Sequence, residues 1–142
     1  MNREEIKEFL PHREPMLLVD DITLDGEWAD AHYHVSGEEF FLKGHFPGNP
    51  VVPGVITCEI LAQSCALLRG DLLKGRTPFY AGIDNVKFKS AVHPGDTIHI
   101  RARVTQQRGL LVFTEAKAFV DDRLCCSGNF SFMLVDNDKV KK

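Results

Sequence analysis

From Ile98 onward the chain alternates apolar and polar residues with the period of two that marks a strand with one wet face. Ile98, Ile100, Ala102 and Val104 interleave with His99, Arg101, Arg103 and Thr105. Arg108-Gly109 predicts a turn into Leu110 to Val120, and Asp121-Asp122 a turn into Leu124 to Val135. In that last strand Cys126, Gly128, Phe130, Phe132 and Leu134 share a face. An earlier strand over Phe79 to Ser90 leads into the turn His93-Pro94-Gly95-Asp96. Near the N-terminus, Met16 to Leu24 and Trp28 to Val35 flank Asp25-Gly26, a dipeptide suited to a hairpin tip. On the second of these strands Ala29, Ala31, Tyr33 and Val35 point one way, and Asp30, His32 and His34 the other. Arg3 to Leu10 predicts a short helix that Pro11 stops.

One segment breaks this rhythm. Pro53-Gly54 predicts a helix start, with the helix running to about Arg69 and stopping at Gly70. Val55, Ile56, Cys58, Ile60, Leu61, Ala62, Cys65, Leu67 and Leu68 lie nearly all round it, so other structure must wrap it. The fold class is α+β: an antiparallel sheet curled around one buried helix. A single domain over residues 1–142 is expected, with a fraying tail over 136–142.

Composition narrows the function. Hydrophobic residues make up 44% and charged residues 26%, ordinary globular values. A net charge of -3 argues against nucleic-acid binding, which depends on basic clusters. The opening MNREEIKEFL has no continuous apolar run, and Pro53, Thr57, Glu59, Gln63 and Ser64 interrupt the run from Val51 to Leu68. Neither a secretory signal nor a membrane span is expected, and the reading is cytoplasmic. Cys58, Cys65, Cys125 and Cys126 form no C-x-x-C pair and sit in apolar segments, as reduced thiols in a core do. Asn129-Phe-Ser131 matches a glycosylation sequon but reads as strand sequence.

Chemistry concentrates in GHFPGNPVVPGVITCEILAQSC, Gly44 to Cys65. His45 sits in a bend of prolines and glycines that restricts its backbone, and imidazole exchanges protons near neutrality. Glu59 lies one turn inside the apolar helix, where burial raises a carboxyl pKa and suits it to proton donation. Gln63, four residues on, shares its side and is placed to hold it. The Gly54 N–H at the helix start is open to an anion. A base, an acid and an oxyanion donor suffice to abstract a proton beside a carbonyl and expel a β-hydroxyl. A solvated helix edge for Glu59 and a backbone-bonded loop histidine for His45 are the plain alternatives. His32 and His34 make an H-x-H pair with no third ligand spaced nearby, so no metal site is expected. Lys87 and Lys89, with Arg101 and Arg103 on an adjacent strand, form either a basic patch or a solvated sheet face.

The segment GHFPGNPVVPGVITCEILAQ resembles the signature of the 3-hydroxyacyl-acyl-carrier-protein dehydratases of bacterial type II fatty acid synthesis. The likeness continues through LPHREPMLLVDDI, FYAGIDNVKFKSAVHPGDTI and the final strand, in matching order over nearly the whole chain. It implies the hotdog fold, with His45 and Glu59 as the catalytic residues, Gln63 supporting the glutamate and Gly54 facing the thioester carbonyl. It further implies a homodimer with His45 of one copy facing Glu59 of the other, a hexamer made of three dimers, an acidic acyl carrier protein as partner, for which Lys87, Lys89, Arg101 and Arg103 are the candidate docking residues, and no cofactor. Ile60 departs from the alanine more usual in the family, which bears on the width of an acyl tunnel. A hotdog hydratase or thioesterase acting on coenzyme A thioesters, or a non-catalytic acyl-binding subunit, are the rival readings. The carrier that brings the substrate is not written in these residues.

Overall fold

The computed structural model describes residues 1–140. Its six strands are β1 (Asp21–Asp25), β2 (Trp28–His34), β3 (Arg76–Phe88), β4 (Thr97–Arg108), β5 (Leu111–Val120) and β6 (Arg123–Asp136). They form one antiparallel sheet in the order β1-β2-β4-β5-β6-β3. The helices are α1 (Arg3–Ile6), α2 (Gly54–Gln63), α3 (Gly70–Leu73) and α4 (Asn137–Val140). The sheet curls around α2, which packs on β5 and β6. This is the hotdog arrangement. No helix is long and apolar enough to cross a membrane among the described residues.

Alternation in the strands becomes burial on one sheet face. Ala29 and Ala31 of β2, Ile98, Ile100 and Ala102 of β4, and Ala118 of β5 are fully buried, while His99, Arg101 and Arg103 stay partly in water. The small residues let the sheet close onto α2, whose Ile60 and Leu61 have no exposed surface. Each such Ile or Leu stabilises the fold by about 1.5–3 kcal/mol.

The central helix departs from its expected bounds at both break and stop. It tightens after Gln63 into a 3-10 turn, Ala66–Arg69, and resumes as α3. At the break, Ser64 Oγ donates to the Ile60 carbonyl (2.7 Å) and Cys65 Sγ to that of Leu61 (3.4 Å), in competition with the backbone. Gly70 is helical (φ -56°, ψ -41°) and does not stop the chain. Its missing side chain instead makes room for Phe9, whose ring edge would lie 3.1 Å from an added Cβ. The stop is at Gly75, where φ is +77°.

The first hairpin strand starts at Asp21 rather than Met16. Leu17, Leu18 and Val19 are all buried in succession, which a pleated strand with one wet face does not permit. The Leu18 N–H goes instead to the Gln63 side chain (2.8 Å). In the stretch expected to fray, Asp136 closes β6 and accepts from Arg76 Nε (2.8 Å), and Asn137–Val140 form a helical turn; residues 141 and 142 lie outside the described residues.

Candidate active site

The loop before α2 holds His45 by its backbone and by its ring. Val51 N–H donates to the His45 carbonyl (2.8 Å), and Phe46 and Asn49 exchange backbone bonds (3.2 and 2.9 Å) around Gly48, where φ is +75°. The Phe46 ring stacks on the imidazole at 4.1 Å. His45 Nδ1 lies 3.1 Å from the Val51 carbonyl. A carbonyl only accepts, so Nδ1 carries the proton and Nε2 keeps a free lone pair.

Glu59 projects from α2 and is met by three donors. Gln63 Nε2 reaches Oε2 at 2.8 Å, the Tyr80 hydroxyl reaches Oε1 at 2.7 Å, and His12 Nε2 lies 3.2 Å from Oε2. Burial is the largest single influence and pushes the carboxyl up, but the bonds from His12, Gln63 and Tyr80 together outweigh it, so its pKa falls below the ordinary carboxylate value. The expectation of a pKa raised by burial is therefore corrected: in the single chain Glu59 is held as a carboxylate. Tyr80 shifts the opposite way, first through burial and then through its bond to Glu59.

Gln63 is buried and fully satisfied. Besides holding Glu59, it donates to Met16 O (2.8 Å) and accepts from Leu18 N–H (2.8 Å), which ties residues 16–18 to the helix. His12 and Tyr80 were not singled out as site residues from the sequence. His12 stood in the quoted LPHREP stretch, but nothing in its spacing places it against a helix residue 47 positions later; Tyr80 comes from an edge strand.

Glu59 lines an open cleft of about 70 Å³. Ala62, Ala66, Leu73, Val112, Phe132 and Leu134 give it an apolar lining between the helix and strands β5, β6 and β3. This cleft lies within one protomer. Ile60 is buried in the core and does not line this cleft.

Gly54 lines a different groove, together with Val52, Phe88 and Lys89. The Gly54 N–H opens α2 and has no backbone acceptor among the described residues. An added Cβ at Gly54 would meet the Phe88 ring at 2.7 Å, so that exposed ring would have to move. His45 lines neither the cleft nor this groove. One chain brings Glu59 and Gln63 into contact, and neither His45 nor Gly54 lines the cleft that Glu59 lines.

The basic residues are arranged otherwise than expected. Strands β5 and β6 stand between β4, which carries Arg101 and Arg103, and β3, which carries Lys87, so the strands are not adjacent. The register Arg101↔Lys117↔Ser127↔Lys87 nonetheless puts these residues in one row across the outer face, with Lys117 between them. Arg101 pairs with Asp30 (3.6 Å), Arg103 with Glu115 and with Glu27 (3.2 Å), and both guanidinium groups lie 4.9 Å from the Trp28 ring. No carboxylate pairs with Lys87, Lys89 or Lys117 among the described residues. His32 bonds Asp21 (2.8 Å) and stacks on His99 at 5.0 Å, while His34 bonds Thr97 (2.8 Å).

A helix wrapped by a curved antiparallel sheet, with a glutamate lining an apolar cleft, defines a hotdog-fold enzyme of acyl groups. Residues 21–129 match the ApeI-like family, described as ApeI dehydratase. The 3-hydroxyacyl-[acyl-carrier-protein] dehydratase FabZ of Clostridium perfringens is 46% identical over 137 residues, covering 94% of this chain and 99% of that protein. Its counterpart in Staphylococcus carnosus is 43% identical over 136 residues, covering 93% and 94%. The solved dehydratase heterocomplex ApeI:P from Xenorhabdus doucetiae shares the fold, with a TM-score of 0.77 at 18% identity over 96% of this chain and 97% of that one. The chain belongs to the 3-hydroxyacyl-[acyl-carrier-protein] dehydratase family.

Proposed function

We propose that this protein removes water from a (3R)-3-hydroxyacyl thioester on acyl carrier protein, giving the trans-2-enoyl thioester in fatty acid biosynthesis. The observation that carries the reading is a pair of held groups: an imidazole anchored through Nδ1 on a carbonyl, and a glutamate held by Gln63, Tyr80 and His12 in an apolar cleft. His45 Nε2 takes the α-proton, and the C–H electron pair becomes the new double bond. The Gly54 N–H holds the thioester oxygen while it carries negative charge. Glu59 gives a proton to the β-hydroxyl, which leaves as water. The reaction balances with side chains alone and requires no cofactor.

The site is completed by a second copy, His45 and Gly54 of one protomer facing Glu59 of the other. Three features support this. Within one chain neither His45 nor Gly54 lines the cleft that holds Glu59. Strand β3 is a sheet edge of 13 residues. Its Tyr80, Ile83 and Phe88, on the helix side, are 44%, 49% and 58% exposed, and Val55 on α2 is 75% exposed. A long apolar edge is a ready template for pairing. The working unit is a homodimer in the reducing cytoplasm, where four unpaired buried cysteines are at home.

The test is turnover of 3-hydroxyacyl chains on carrier protein and on coenzyme A, followed by enoyl absorbance. Dehydration with preference for the carrier-protein substrate is expected. Hydrolysis of the thioester, preference for coenzyme A, or binding without turnover would each replace this reading.

A further inference from the structure

An acid that gives up a proton in every turnover has to be reloaded, and the carboxylate of Glu59 is held ionised by its neighbours. Three donors touch it, and they differ in what they can release. The Gln63 amide does not ionise. Tyr80 binds its proton more tightly than a free phenol, through burial first and then Glu59. Imidazole alone among them exchanges protons near neutrality.

His12 is built into this position. Arg13 Nη1 donates to the carbonyls of Leu10 (2.9 Å) and His12 (2.7 Å), and Arg13 Nη2 to that of Lys7 (3.3 Å), which stiffens the loop on both sides of the ring. Gln63 ties the same segment to α2 through Met16 and Leu18. His12 Nε2 is thereby held 3.2 Å from Glu59 Oε2, and both residues line the apolar cleft. Its other nitrogen is the informative one: Nδ1 is buried, and no group among the described residues bonds it. His45 differs, since its Nδ1 is anchored on the Val51 carbonyl. Without an acceptor at Nδ1, nothing except Glu59 stabilises an imidazolium at His12.

We propose that His12 is a positioning residue and proton reservoir that acts through Glu59, reloading the carboxyl for each departure of the substrate hydroxyl. This rests on the dehydratase reading. In the step, the Nε2–H bond of the His12 imidazolium breaks and an O–H bond forms at Oε2, leaving a neutral ring with its proton on Nδ1. The β-hydroxyl takes that proton as its bond to carbon breaks with the electron pair on oxygen, and Glu59 is a carboxylate again. His45 returns the α-proton to solvent and His12 regains one from solvent, so the cycle closes. The other titratable or charged groups facing the pair are Tyr80 on β3, Cys65 and Arg69 along the cleft, Cys58 beside Glu59 in sequence, and Arg13 behind the loop.

The experiment uses the full-length enzyme with His12→Gln and His12→Ala. Glutamine keeps an N–H donor for Glu59 without exchanging protons, whereas alanine removes both roles. For both variants kcat should fall at least about tenfold, with KM within about twofold, because a proton exchanger is lost and not a substrate contact. The alkaline limb of the kcat profile should move to lower pH in both. Added imidazole should restore part of the His12→Ala rate, and glycerol at equal concentration should not. Wild-type kcat and an unmoved pH limb in folded His12→Gln would overturn the proposal. So would failure of imidazole to rescue His12→Ala while His12→Gln is fully active. If His12→Ala does not fold, His12→Gln decides alone; should that also not fold, the wild-type ring decides by its NMR titration, whose midpoint must fall on Glu59→Gln if the two share a proton. A wild-type enzyme that does not dehydrate the substrate would instead defeat the functional reading.

Discussion

Glu59 shows why a buried carboxyl cannot be judged from burial alone. Desolvation raises its pKa more than any single bond lowers it, yet three donors acting together reverse the sign. Glu39, which begins the turn into the His45 loop, follows the same rule. Its carboxylate accepts from the Tyr33 hydroxyl (2.8 Å) and from the N–H groups of Ser36 (3.0 Å) and Gly37 (2.9 Å). Burial raises its pKa, but the bonds from Tyr33 and the backbone bring it below the usual 4.5. A depressed folded-state pKa means that the stability is present above the unfolded value and is lost as pH falls through the folded one. Glu39→Gln should therefore lower the Tm at pH 7, with the gap from wild type closing as pH drops below about 4.5. Thermal melts across pH 7 to 3 measure this; a gap that widens in acid would contradict it.

Between elements, Gln63 is the tie that matters most. It joins α2 to the N-terminal segment through two backbone groups and holds Glu59 with the same amide. Gln63→Leu keeps the bulk but leaves Met16 O and Leu18 N–H unpaired in the interior. A buried polar group left without a partner costs about 1–3 kcal/mol. The variant should lose stability on that scale in urea unfolding, and its kcat should fall as well because Glu59 loses a donor. Unchanged stability would mean that water reaches both backbone groups.

For the whole molecule, the proposed division of the site between two copies is tested by a mixing experiment. His45→Ala and Glu59→Gln proteins should each lose roughly 10²-fold or more in kcat. After subunit exchange, mixed dimers carry one site with both residues intact, so part of the activity should return. Exchange shown by labelled subunits without recovery would put both residues in one chain's site. The outer face offers a second whole-molecule test. Lys87 and Lys117 lie in one row, and Lys89 lines the groove that holds Gly54. An acidic carrier protein approaching that groove would be steered by them, and salt screens such charges over about 8–10 Å. Lys87→Glu with Lys89→Glu should raise KM for the carrier-protein substrate and leave kcat and the turnover of a short uncharged thioester nearly unchanged. Equal losses on both substrates would assign the lysines to the fold.

Local rules reached far into this protein because they depend on near neighbours. Alternation along β2, β4 and β6, the wrapped helix, and the pairing of Glu59 with Gln63 one turn on are all set by spacings of two to four residues. Stiff residues around His45 likewise announced a held imidazole. The break in the helix and the start of β1 were not legible, since Ser64, Cys65 and Leu18 choose between backbone and side-chain partners only after packing. Tertiary structure alone brought His12 and Tyr80 onto Glu59, from 47 and 21 residues away, and so decided the sign of its pKa shift. Strand order, too, separated Arg101 from Lys87 and put Lys117 between them. Sequence spacing carries hydrogen-bonding potential, but a charge responds to whatever lies within a few ångströms, and that is settled only when distant segments meet.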